Sequence, residues 1–124
     1  MIRLAVALLL AATPVWSFEV PSGQPVDLQE VLIDDLGDEI WLRFRFVAPK
    51  ISRDDAMAEV NAQDMLHLCQ ETALTYISDF ELDGDVIVVS LADRPTEFGV
   101  ADPDATQFFE AFRADNGSCI WESY

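Results

Sequence analysis

Positive charge is scarce in this sequence. Seven Lys and Arg stand against 23 Asp and Glu, with one histidine, for a formal charge of −16 at pH 7. Such a balance excludes nucleic acid and anionic lipid headgroups as partners, since both are held by clustered cationic side chains. The lone histidine, His67, excludes a His-rich metal set, and it stands two positions from Cys69. Residues two apart on a helix point to nearly opposite sides, so the two cannot work as a Cys–His pair. Two cysteines and one histidine at this spacing also match no usual zinc ligand pattern. The five glycines form no phosphate-cradling loop, and there is no G-x-S-x-G nucleophile. No segment reaches the roughly 20 apolar residues that a spanning helix needs. A cofactor-dependent enzyme has no visible parts here, and no cofactor is expected.

The longest apolar run is N-terminal, in MIRLAVALLLAATPVWS. One positive charge at Arg3 precedes the run from Leu4 to Ala12, and Pro14 and the small Ser17 follow. That order reads as a secretory signal peptide over residues 1–17, cleaved after Ser17. No cysteine follows the run, so no lipid anchor is expected on the mature chain of residues 18–124. All 23 acidic residues lie in that part, and no repeat or linker divides it. A single exported domain, periplasmic or secreted, is the expectation.

Export places Cys69 and Cys119 in an oxidising compartment, where an even count favours a disulfide. Neither cysteine has an activating neighbour in sequence, so the expected role is structural. Asn116-Gly117-Ser118 matches a glycosylation sequon, but Asn-Gly between "FFEAFR" and "SCIWE" is first a hairpin turn, because both residues accept positive φ.

"PVDLQEVLIDDLGDEIWLRFRFVAP" predicts two strands around an acidic turn at Asp35 to Asp38. In the second, Ile40, Leu42, Phe44 and Phe46 alternate with Trp41, Arg43, Arg45 and Val47, a period of two with the aliphatic-aromatic set facing the core. Arg43 and Arg45 share the opposite face. They either receive an anionic ligand or pair across strands with carboxylates such as Glu30, and pairing is favoured. After Pro49, a helix can start at Ser52 with Asp55 three residues on, or at Asn61 with Asp64. Met65, Leu68, Cys69, Thr72, Ala73 and Tyr76 then recur at helical spacing, and His67 falls off that stripe. "DVIVVSLAD" is valine-rich and predicts a central strand. "RPTEFGVADPDAT" predicts an ordered loop, and "QFFEAFRADNGSCIWES" a closing hairpin, with a helix over 103–112 as the alternative. The order is β-β-α-β-β-β: an α+β domain whose mostly antiparallel sheet carries one long helix.

Two places invite chemistry. Asp79, Glu81, Asp83 and Asp85 stand at positions one, three, five and seven of a calcium-loop pattern with Gly84 at six. Position twelve, however, is Ser90 where a bidentate glutamate is needed, and a strand follows, so an acidic turn is the preferred reading and these four are weak metal candidates. After the central strand, Asp93 and Glu97 flank Arg94 and Pro95, in the kind of loop that often carries function. A small hydrolase working through Asp93 or Glu97 is one reading. The other is a contact surface built from Asp93, Arg94, Glu97, Phe98 and Phe109 with the C-terminal hairpin, on a non-catalytic accessory or binding module whose partner is a periplasmic protein.

The stretches "VPSGQPVDLQEVLIDD", "WLRFRFVAP", "VVSLADRPTEFGVADPDATQFFEAFR" and "CIWE" resemble a family of small exported alphaproteobacterial proteins whose function is uncharacterised. The resemblance implies periplasmic location and the cysteine pair, and it supplies no activity or catalytic residues. Sequences of this kind sometimes carry the label acetolactate synthase. A mature chain of this length without a pyrophosphate-binding motif cannot house a thiamine-dependent enzyme of that size.

Overall fold

The computed structural model describes residues 18–122. The signal-peptide reading of residues 1–17 therefore lies outside the described residues. Five strands form one sheet in sequential order: β1 (Asp27–Asp35), β2 (Ile40–Val47), β3 (Val86–Ala92), β4 (Gln107–Asp115) and β5 (Ser118–Trp121). Neighbouring strands are antiparallel except β2 and β3, which are parallel. A parallel pair needs a long crossover, and the helical segment between β2 and β3 supplies it. That segment opens with a 3₁₀ turn (Asp55–Met57) and continues as α1 (Ala58–Leu68), a π-helical turn (Cys69–Ala73) and α2 (Leu74–Asp79). The expected β-β-α-β-β-β order and α+β class hold, and β3 is central.

The period of two in β2 does what hydrophobicity demands. Leu42, Phe44 and Phe46 are fully buried against the helix, joined by Ile87, Val89 and Leu91 of β3 and Phe112 of β4. From the helix come Met65, Leu68, Cys69 and Ala73. The π turn, in which the Leu74 N–H donates to the Cys69 carbonyl, adds one residue to a helical turn and keeps Cys69 and Ala73 both on the sheet side. There the Cys69–Cys119 disulfide forms, with Cα atoms 6.3 Å apart, and ties the helix to β5. Cys119 reaches that position through the expected Asn-Gly turn: Asn116 and Gly117 both have positive φ, 52° and 81°, and Asp115 pairs with Ser118. Residues 107–112 are strand, so the helical alternative over 103–112 is set aside. Pairing on both sides, with β3 and β5, satisfies the β4 backbone more fully than a short helix would.

Three local features differ from the sequence expectations. The helical segment is capped by Asp54, whose side chain accepts the Ala56 N–H, while Ser52 Oγ accepts the Asp54 N–H one step earlier. Asn61 is not a cap. It is buried one turn into α1, beside Asp64, which is fully buried and serves as a fastening point: its carboxylate accepts the Ser22 N–H (3.0 Å), the Ser22 hydroxyl (2.5 Å) and the Gln24 amide (2.7 Å). Those bonds hold the segment before β1 on the helix, where Phe18 meets Phe46 edge to face. Finally, β1 carries a bulge at Gln29. Leu28 pairs with Phe46 and Glu30 with Arg45, so the extra residue shifts the alternation by one. Leu28 and Val31 consequently both face the helix, and Glu30 faces the other way.

Candidate functional site

The helix covers one face of the sheet. Side chains of the opposite face form transverse rows read directly from the strand register. Glu30, Arg45, Ser90 and Phe109 make one row, and Leu32, Arg43, Val88 and Ala111 the next. The two arginines stand at the middle of this face because β2 alternates them against its core residues. Arg45 is 9% exposed, and its guanidinium donates to the Glu30 carboxylate and, at 2.8 Å, to Thr96 Oγ1. Arg43 Nε donates to Asp34 at 2.9 Å. The expected cross-strand pairing with Glu30 is thus present.

Thr96 belongs to the segment joining β3 to β4, and that segment is a strap over the sheet. Its base is closed by the Asp93 N–H bonded to the Thr106 carbonyl (3.0 Å) and the Thr106 N–H bonded to the Asp93 carboxylate (3.2 Å). Arg53, preceding the helix, holds the same base by donating to the Ala105 carbonyl and to Thr106 Oγ1. From there the chain crosses β2 to the bulge of β1, where Gln29 takes hold of the Thr96 backbone. It turns back through Glu97 to Val100, with Gly99 at φ 81° as that turn requires. Phe98 lies on this turn with its ring centroid 5.0 Å from the Arg43 guanidinium carbon and 5.5 Å from that of Arg45. The Trp41 ring lies 5.2 Å from Arg43. Aromatic faces attract guanidinium groups, so the strap is drawn onto the arginines without neutralising them.

Between strap and sheet lies a cavity of about 230 Å³. Arg43, Arg45, Val88, Ser90 and Gln107 line it from the sheet, and Glu97, Phe98, Gly99, Val100 and Phe109 border it. Its apolar rim is open to solvent: Phe109 is 68% exposed, Val100 54% and Phe98 46%. Arg43 spends only Nε on a protein partner among the described residues. Ser90 Oγ and the Gln107 amide likewise hold no hydrogen bond to the described protein. The cavity therefore offers hydrogen-bond donors on one side and apolar surface on the other, the usual composition of a small-molecule site.

The sequence singled out Asp93, Arg94, Glu97, Phe98 and Phe109. Three of these, Glu97, Phe98 and Phe109, meet at the cavity. Asp93 and Arg94 do not line it. They bond to each other at 3.0 Å at the base of the strap. The Arg94 guanidinium holds the Asp93 carboxyl below the usual carboxylate range, and the Thr106 N–H adds to this while partial burial opposes it. A carboxylate kept ionised in this way anchors the loop; a general acid needs the opposite shift. The cavity residues that sequence reasoning did not bring to this site are Arg43, Arg45, Val88, Ser90 and Gln107 of the sheet and Gly99 and Val100 of the strap. The signal for the sheet residues was the half of each strand's alternation that does not face the helix, meaningful only once strand order is known; the strap residues carried none.

The acidic stretch after the helix is used otherwise. Asp79 ends α2, and Glu81 takes a left-handed conformation (φ 53°) in the helix-terminating turn. The Asp85 carboxylate accepts the Ile40 N–H at 2.8 Å, so it joins this connection to β2. Among the described residues, no group of three or more His, Cys, Asp or Glu side chains is placed to hold a metal ion. No helix among the described residues is long and apolar enough to cross a membrane.

Fold and face together define a small α+β protein with a strapped, semi-open cavity on the sheet face that its helix leaves free. The chain belongs to a family of unknown function (DUF6497), matched over residues 3–124. Comparison with curated proteins and with solved structures finds no match.

Proposed function

We propose that the protein is a non-catalytic binding module, exported to the periplasm, whose contact surface is the strapped face around Phe98 and Phe109. The observation that carries this reading is the cavity beneath the strap, where donors of Arg43, Ser90 and Gln107 stand unused beside exposed aromatic rings. Arg43 and Ser90 are half-buried and Gln107 is exposed, so these groups stay open to solvent and to a ligand, and a few polar groups beside apolar surface in a concave site are the usual means of orienting one. Support for export comes from the leader-like N-terminus and from the cysteines joined as a disulfide, a bond that persists in oxidising compartments. The strap is tied at both ends and to β1, so binding is to a preformed surface rather than to a loop that must fold first.

The test is a fragment screen on isotope-labelled protein, read by amide shift changes. Ligands that cluster on residues 43, 88–90, 97–100, 107 and 109 support the reading. A screen whose hits scatter over the surface, or avoid this face, removes it. Fractionation of cells carrying the natural chain tests export independently: recovery of a form beginning near Phe18 outside the cytoplasm is expected, and retention of the full-length chain inside counts against it.

A further inference from the structure

Resting on that reading, we infer that the cavity takes a small monocarboxylate with a compact apolar body. Three properties of the site lead there. The first is the kind of polar group. The two guanidinium groups that line the cavity carry donors and no acceptor, so the ligand's polar end must accept hydrogen bonds, which an ammonium group does not do.

The second is the number of donors. Among the described residues Arg43 keeps both terminal nitrogens free of hydrogen-bond partners, and Ser90 Oγ lines the same cavity. A neutral carbonyl has one oxygen to offer. A carboxylate has two, with about four lone-pair sites, and can accept from both nitrogens of the Arg43 fork. The net charge then sets the upper limit. Glu30 and Asp34 already pair with Arg45 and Arg43, and Glu97 stands at the rim. With both guanidinium groups already matched, a dianion such as phosphate would bring two uncompensated charges into a molecule of formal charge −16, where a monoanion brings one. A monoanion is held by charge-assisted hydrogen bonds without needing a positive field.

The third is size and shape. At 230 Å³ the cavity is below the roughly 300–1,000 Å³ typical of drug-sized sites. Val88 floors it and Phe98, Val100 and Phe109 wall it, so a ring or short branched chain fits beside the donors. The carboxylate sits on the Arg43 fork toward Ser90, and the apolar body rests against Val88, Val100 and Phe109.

The experiment titrates the purified, disulfide-bonded protein with benzoate and hexanoate, and in parallel with benzamide and hexanamide, at constant ionic strength. Amide shifts locate the site and give the affinities. At least one acid should move residues 43, 88, 90, 98–100, 107 and 109 and bind about tenfold more tightly than its amide, the difference between a charge-assisted and a neutral hydrogen-bond set. Arg43→Lys keeps the charge but loses the fork, so it should weaken the acid about fivefold or more and leave the amide unchanged. Ser90→Ala carries the same comparison if Arg43→Lys fails to fold. Amides that bind at the cavity as well as the acids overturn the carboxylate assignment and leave the binding-module reading standing. If all four probes miss the cavity, the assignment falls, and the fragment screen decides whether the broader reading falls with it.

Discussion

The side-chain amide of Gln29 grips the backbone of Thr96 as an adjacent strand would. Its Nε2 donates to the Thr96 carbonyl at 2.7 Å, and its Oε1 accepts the Thr96 N–H at 3.4 Å. The grip exists because Gln29 is the bulged residue of β1, with its own ladder position skipped. One extra residue in an edge strand therefore serves two purposes. It sets Glu30 opposite Arg45, and it frees an amide to hold the strap down.

Gln29→Ala should release the strap without unfolding the sheet. Hydrogen exchange at residues 94–106 should quicken, while global stability falls by only about 0.5–1.5 kcal/mol, the worth of an ordinary hydrogen bond. Unchanged exchange in that segment would show that Arg45, Arg53 and Asp93 hold it without Gln29.

Removing the disulfide should be far more costly. Cys69 and Cys119 are 50 residues apart in sequence, and loop closure of that length restricts the unfolded chain by about 4 kcal/mol. In the Cys69→Ala/Cys119→Ala double variant the thermal midpoint should drop by on the order of 15–20 °C, as calorimetry would read it. A drop of only a few degrees would mean that the helix stays seated on β5 through packing alone.

Glu81 ends the helix in a left-handed conformation, with the Glu81 N–H bonded to the Ser78 carbonyl and the Leu82 N–H to that of Ile77. This is the turn in which glycine is the usual residue. Glu81→Gly should stabilise the protein by about 0.5–1 kcal/mol, because a left-handed L-residue costs roughly 1–2 kcal/mol and the added chain entropy of glycine returns part of it. Urea denaturation checks the sign.

Gly84 shows the reverse. A Cβ there would lie 2.5 Å from Cγ of the buried Leu42 and 2.6 Å from its Cδ1. Leu42 is packed in the core and must shift to make room, so Gly84→Ala should destabilise by about 1–3 kcal/mol in the same assay. A neutral result would place unfilled space under β2.

Asp93 and Glu39 make the stability acid-sensitive. The Arg94 guanidinium depresses Asp93, and the Arg113 guanidinium, with the Trp41 ring N–H, depresses Glu39. A carboxyl whose folded value lies below its unfolded one stabilises above the ordinary range and loses that contribution as pH falls through the folded value. Wild type should therefore exceed Asp93→Asn in urea midpoint at pH 7, and the gap should shrink progressively as pH falls below about 4, the ordinary Asp value. A gap that stays constant as pH is lowered would assign the effect to packing.

Local chemistry made much of this protein legible from its residues alone. The alternation in β2, the valine run of β3, the helical stripe through Cys69 and the Asn-Gly turn each encode an element within a few neighbouring residues, because burial at period two or 3.6 and positive φ are local demands. The expectation of export and the count of two cysteines were enough to pair Cys69 with Cys119. What the tertiary structure alone decided is the face away from the helix. Whether Arg43, Val88, Ser90, Gln107 and Phe109 share a surface depends on strand order and register, which depend in turn on a parallel β2–β3 pair and on where the bulge of β1 falls. No window of sequence contains those partners together. The strap was legible as a loop, but its path was not. That path follows from a few long-range bonds, Gln29 and Arg45 to Thr96 and Arg53 to Ala105, which become favourable only when packing of the core has already brought their donors and acceptors into reach.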